Sequence, residues 1–160
     1  MEKLMIILRS FLQLFLLAIT TLAVITNSHG ASVGKSHEPF IGQNPLIGSW
    51  QLVSGAYLND KNQWIDYRDL NLTAIKVISK THFSFTTMKL ESAVQTFWAA
   101  GTGKYQLTKQ HYIEFPTLNS FNVKQGESFK FSYHIDGNEW HTKRYEGGQL
   151  SEKEVWKKLD

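Results

Sequence analysis

From Leu46 onward, apolar and aromatic residues alternate with polar ones in short runs separated by turn residues, and no stretch sustains a helical period for three turns. The alternation predicts nine strands: 49–57, 72–79, 82–88, 94–100, 103–107, 111–115, 128–135, 139–145 and 149–159. Short links join several of them, namely Ser79-Lys80-Thr81, Thr108-Lys109-Gln110, Asp136-Gly137-Asn138 and Glu146-Gly147-Gly148. Tight links make sequential strands antiparallel neighbours, and a meander of this size removes its edges by closing on itself. The expected fold is therefore all-β, a single antiparallel up-and-down barrel of eight to ten strands. Short helical turns are expected at its ends, over 66–70 and 119–124.

Alternation also assigns faces. Phe129, Phe131, Tyr133 and Ile135 share one side of their strand, with Lys130, Ser132 and His134 on the other. Across the Asp136-Gly137-Asn138 turn, Trp140 joins the inner set whether the loop has two residues or four, since both registers preserve parity. Gly48-Ser49-Trp50 opens the first strand, and a Trp there would plug one end of a barrel with its ring. A barrel plugged at one end is a cup, which suggests a ligand.

The residues before the barrel read as an export signal. Lys3 and Arg9 supply positive charge, Phe11 to Ile25 is almost unbroken apolar sequence, and Ser28-His29-Gly30-Ala31 offers small residues for cleavage after Gly30. Residues 1–30 are thus expected to be a signal peptide, 31–45 a flexible linker rich in Ser, Gly, His and Pro, and 46–160 the barrel domain. The protein would be periplasmic or secreted. Retention of the apolar run as a membrane anchor is the rival reading, since a spanning helix needs roughly 20 such residues.

Cleavage would leave about 130 residues, enough for one core. Losing Glu2, Lys3 and Arg9 with the leader takes the formal net charge from +3 to about +2. Such a weak and scattered charge argues against nucleic acid, which calls for a concentrated basic stripe. The chain has no cysteine, which excludes disulfides and a lipid-modified cysteine anchor.

Candidate chemistry is sparse. There is no G-x-S-x-G elbow, no Cys nucleophile and no phosphate-cradling Gly loop between a strand and a helix, so binding is favoured over catalysis and no cofactor is indicated. His134 and His141 face each other in one turn register, but a metal site needs a third ligand and this pair lies on the outer face. His82, Tyr112 and Glu114 form the other polar set. If Tyr112 and Glu114 point inward they give the cavity a hydrogen-bonding end; the more apolar set His111, Ile113 and Phe115 favours the opposite facing. The chain has 10 Phe, 6 Tyr and 5 Trp, mostly on core-facing positions. Tyr57, Trp64 and Trp98 fit that pattern less well and would line a pocket mouth, stack on a sugar or cap the core.

Several segments together resemble the lipocalin-like domain family of exported bacterial proteins. They are Pro45-Leu46-Ile47-Gly48-Ser49-Trp50-Gln51-Leu52-Val53-Ser54, Ile75-Lys76-Val77-Ile78-Ser79-Lys80-Thr81-His82-Phe83, Gly101-Thr102-Gly103-Lys104-Tyr105 with Tyr112-Ile113-Glu114, Gly137-Asn138-Glu139-Trp140, and Glu154-Val155-Trp156-Lys157-Lys158. The resemblance spans nearly all of 45–160. It implies a calycin-type barrel around a cavity, with Lys157 or Lys158 packed across Trp50, and no settled activity.

Taken with face alternation, it leads to an exported protein that binds a small, largely apolar molecule. Trp50, Leu52, Phe83, Phe85, Phe97, Tyr105, Phe131, Tyr133 and Trp140 would form the wall, with His82, Tyr112 and Glu114 as polar contacts. Such a site is expected to exceed about 300 Å³. The alternatives are a glycan-binding or sugar-processing accessory protein using Tyr57, Trp64, Trp98 and Glu114, and a solid-core barrel serving protein interaction.

Overall fold

The computed structural model describes residues 42–160. The expected leader and residues 31–41 of the expected linker lie outside the described residues. Within them the chain forms nine strands: β1 (Gly48–Leu58), β2 (Trp64–Asp66), β3 (Leu72–Ile78), β4 (His82–Glu91), β5 (Val94–Leu107), β6 (His111–Asn119), β7 (Phe129–Asp136), β8 (Glu139–Glu146) and β9 (Gln149–Lys158).

Strands β3 to β9 follow one another antiparallel. β1 then pairs with both β3 and β9, from Gly48↔Ile78 on one side to Tyr57↔Glu152 on the other, and so closes an eight-stranded up-and-down barrel. Closure leaves no long open edge, and eight strands give an interior just wide enough for side chains or one small ligand.

The strand count matches expectation for a different reason. The two short strands expected at 94–100 and 103–107 are one long strand, β5. The short β2, which pairs with the upper end of β1, makes up the number. Gly101-Thr102-Gly103 reads as a break by composition. Its glycines instead admit close neighbours: a Cβ on Gly103 would stand 2.1 Å from the Phe115 carbonyl oxygen. The helical turns expected over 66–70 and 119–124 are not present; β2 runs into a non-helical turn after Asp66, and β6 into a bend and irregular chain after Asn119. At 119–124 the Asn119 carboxamide oxygen accepts from the backbone N–H of Phe121 and of Val123, giving the local chain an alternative to helix.

One end of the barrel is filled. Leu46, Trp50, Ile78, Phe83, Tyr112, Trp140 and Trp156 are buried there, with Trp50 edge-on to Trp140 at 5.4 Å and Tyr112 edge-on to Trp140 at 5.0 Å. The Trp50 indole donates to the Leu46 carbonyl at 2.7 Å, and the Lys158 ammonium lies 5.6 Å from the Trp50 ring centroid. Asn44, within the expected linker, donates to the Tyr105 hydroxyl, which donates on to the Ser79 carbonyl. Trp50, Phe83, Tyr105, Tyr112 and Trp140 thus form or brace the plug. Tyr133 packs against it and donates to the Thr108 carbonyl.

One expected wall residue and one expected polar contact are elsewhere. Phe97 is 58% exposed on the outside, because β5 carries one extra residue between the pairs Thr87↔Ala99 and Met88↔Phe97. That bulge at Trp98 reverses the parity on which an inward Phe97 depends. His82 is exposed beside the β3–β4 turn, with its Nδ1 2.7 Å from the Thr81 hydroxyl; it precedes the inward Phe83 and so takes the outer face.

Candidate functional site

Above the plug the barrel opens into a cavity of about 200 Å³. This falls short of the roughly 300 Å³ expected of the site, because the plug fills the other end of the barrel, and the expectation of a cavity of that size is not met. Leu52, Phe85, Glu114 and Phe131 of the expected set line it, and so do Tyr57 and Trp98. Trp64 lies outside beneath the Lys153 ammonium, so the three aromatics do not form one surface row.

Tyr112 and Glu114 both point inward, against the facing that the apolar content of His111, Ile113 and Phe115 favours. The reason lies across the lumen. Glu114 accepts from the Lys76 ammonium of β3 at 2.9 Å, past the intervening β4 and β5, with side chains only 5% and 6% exposed. Five rings surround that ammonium, with centroids at 4.8 Å (Trp156), 5.4 Å (Trp140), 5.7 Å (Phe85 and Tyr112) and 5.9 Å (Phe131). Burial pulls the Lys76 pKa down, but the charges of Glu114 and then Glu154 outweigh it, so the group stays protonated with its pKa raised. Burial and the Glu114 charge together push the Tyr112 phenol well above its ordinary value.

A second ionic layer lies nearer the mouth. Arg144 of β8 donates from Nε to Glu152 of β9 at 2.7 Å and also pairs with Glu146. The Tyr67 hydroxyl donates to the other Glu152 oxygen at 2.7 Å. Tyr67 enters because β1 has glycine at position 55: a Cβ there would stand 2.4 Å from the Tyr67 ring. Burial raises the Glu152 pKa, yet Arg144 and the Tyr67 hydrogen bond more than reverse this and hold it below the ordinary value.

Glu154 differs from its neighbours. Its Oε2 accepts from the Trp156 indole at 2.9 Å and the Thr142 hydroxyl at 3.4 Å, both neutral donors. Burial, reinforced by the Glu152 charge and only partly offset by Lys76, raises its pKa to about 7. The cavity thus has aromatic and aliphatic walls over an ionic floor that holds one poorly compensated carboxylate.

Lys76, Tyr67, Arg144, Glu152 and Glu154 are absent from the expected site. A signal for the last two was present: Glu152, Glu154 and Trp156 alternate on one strand face, and that large ring is a core marker. Of the polar set His82, Tyr112 and Glu114, only the last two share the interior, since His82 faces outward. His134 and His141 do stand opposite each other on the outer surface, rings stacked 4.5 Å apart, with His141 3.2 Å from Glu139. No group of three metal-ligating side chains gathers among the described residues.

No protein-family model matches the chain, and no curated protein matches it.

Proposed function

We propose that this protein is an exported, calycin-type binding barrel, similar to the lipocalin-like domain family, that takes a small amphipathic molecule. The observation that carries the reading is the half-filled interior. A rigid aromatic plug closes one end, and the other holds a cavity whose walls are apolar and whose floor is ionic. Concave sites of this kind, with a few convergent polar groups on an apolar wall, are the usual construction for small-ligand binding.

The volume sets the scale. At about 30 Å³ per water in the liquid, 200 Å³ is the space of about seven waters, so the guest is a small molecule. Lys158 against Trp50 supports the calycin likeness, since a basic side chain in that place is what the resemblance implies. The apolar run at 11–25 supports export.

Native mass spectrometry of protein purified from its source tests the reading. The expected spectrum shows a mature chain beginning at Ala31 with a small-molecule adduct that is lost on denaturation. A chain that carries no adduct, and whose tryptophan emission no small amphipathic compound alters, overturns the binding role.

A further inference from the structure

Resting on that binding reading, we propose that the cavity takes a small organic cation, an amine with a compact apolar body, whose ammonium group is received by Glu154. The charge balance of the lining carries this. Four carboxylates (Glu114, Glu146, Glu152 and Glu154) line the cavity against two cations, Lys76 and Arg144. Lys76 is engaged by Glu114, and Arg144 by Glu152 and Glu146. Glu154 has only the indole and hydroxyl donors described above, and no ion-pair partner among the described residues.

A charged carboxylate in such a place is held at a desolvation cost that a bound cation would offset. The neighbouring rings favour the same guest. Trp156, Phe131 and Phe85 line the cavity, and all three already lie within 6 Å of the Lys76 ammonium, so the wall is of a kind that accepts positive charge. An anionic guest would meet an excess of carboxylates, and a neutral one would leave Glu154 without its counter-charge.

The groups facing Glu154 define the pH response. They are Glu152 on its own strand, Arg144 and Glu146 from β8, Lys76 from β3, Glu114 and Tyr112 from β6, Tyr57 from β1 and Tyr67 from the turn after β2. Lys76, Arg144 and the tyrosines keep their protons through neutral pH, and Glu152 is already ionised. Between pH 6 and 8 the change therefore falls on Glu154, and binding a cation releases its proton.

Matched probes test this: 2-phenylethylamine, 2-phenylethanol and phenylacetate, titrated at pH 6 and pH 8 by calorimetry and by tryptophan emission, which Trp98 and Trp156 would report. The amine is expected to bind most tightly at pH 8, by about tenfold over the alcohol, and to weaken by about tenfold at pH 6 as Glu154 takes up its proton. Glu154→Gln, its fold checked by circular dichroism, should bind amine and alcohol alike and lose the pH step. The wild-type pH profile stands as an independent measurement if that variant does not fold. An alcohol that binds as tightly as the amine at pH 8, or a Glu154→Gln protein that keeps the preference, overturns the cation proposal and leaves the binding barrel intact. Failure of all three probes at millimolar concentration overturns the barrel reading together with it.

Discussion

Replacing Lys76 by Met tests the idea that the floor of the cavity is an ion pair held inside a hydrophobic shell. The ammonium and the Glu114 carboxylate are 2.9 Å apart and almost wholly buried, so removing the cation strands the carboxylate. Breaking such a pair from one side costs about 3–5 kcal/mol. Met roughly keeps the side-chain length, and its sulfur offsets part of the lost ring contacts, at about 0.3–1.5 kcal/mol each. The net expectation for Lys76→Met is thus a loss near 3–5 kcal/mol, a large fraction of a total that is roughly 5–15 kcal/mol for domains of this kind. Urea denaturation at pH 7, followed by tryptophan emission, should show the midpoint fall by about 2 M, given slopes of about 1–3 kcal/mol/M. The double variant Lys76→Met/Glu114→Gln removes both charges and should recover most of the loss. A single variant within about 0.3 M of wild type would falsify the buried-pair account. A double variant no more stable than the single one would assign the loss to the packing of the lysine stem instead.

The half-buried Glu154 predicts a pH dependence of stability. Its folded pKa of about 7 lies above the ordinary 4.5, so its contribution is full below pH 4.5 and is lost as pH rises through 7, by roughly 3 kcal/mol. Glu152 has the opposite sign, its stabilisation falling away in acid below 4.5, which places the optimum between the two. Thermal midpoints across pH 4–9 should show this, and Glu154→Gln should flatten the neutral limb; an unchanged limb refutes the assignment. At the β4–β5 turn, Ser92 and Ala93 hold φ of 49° and 65°, a left-handed pair that suits Asn-Gly. Substituting Asn-Gly there should raise stability by about 1–2 kcal/mol, read as a higher urea midpoint, and no change would show that the strain is absent. Trp50→Ala should cost about 3–5 kcal/mol in lost burial and cavity, with a thermal midpoint more than ten degrees lower; a shift of two degrees or less would mean that Trp50 is not the plug.

Alternation made the meander, the inward face of β7 and β8 and the Trp50 plug legible, because in those segments the large rings mark one face without ambiguity. It misleads on β3 and β6. In β3, Ile75 and Val77 are 41% and 45% exposed while Lys76 between them is buried, so hydropathy there runs opposite to burial. Apolar residues on the outside of a barrel cost little, whereas an inward Lys is tolerable only with its counter-charge. That partner, Glu114, is 38 residues away, and no local pattern pairs them. Tyr112 and Glu114 were therefore readable as an inner face only once the occupant opposite them was known.

The cavity also depends on two interruptions of the pleat that leave no mark in hydropathy. A regular strand turns one residue in two toward the interior, but the bulges of β5 and β9 each place two consecutive residues there: Trp98 with Ala99, and Ser151 with Glu152. The first sends Phe97 outside and brings an indole to the mouth. The second turns Ser151 inward directly beside the Glu152 that Arg144 and Tyr67 hold. Each bulge thus adds a wall position without adding a strand, and a wall widened in this way can keep an aromatic lining beside an ionic floor. Removing the extra residue by deletion of Trp98 would restore strict alternation, leaving Phe97 outside opposite Met88 and taking the indole away from the mouth. The expected protein keeps its plug and its far-ultraviolet spectrum, while the emission change on ligand binding is reduced; an undiminished change would show that the indole at the mouth takes no part in the site.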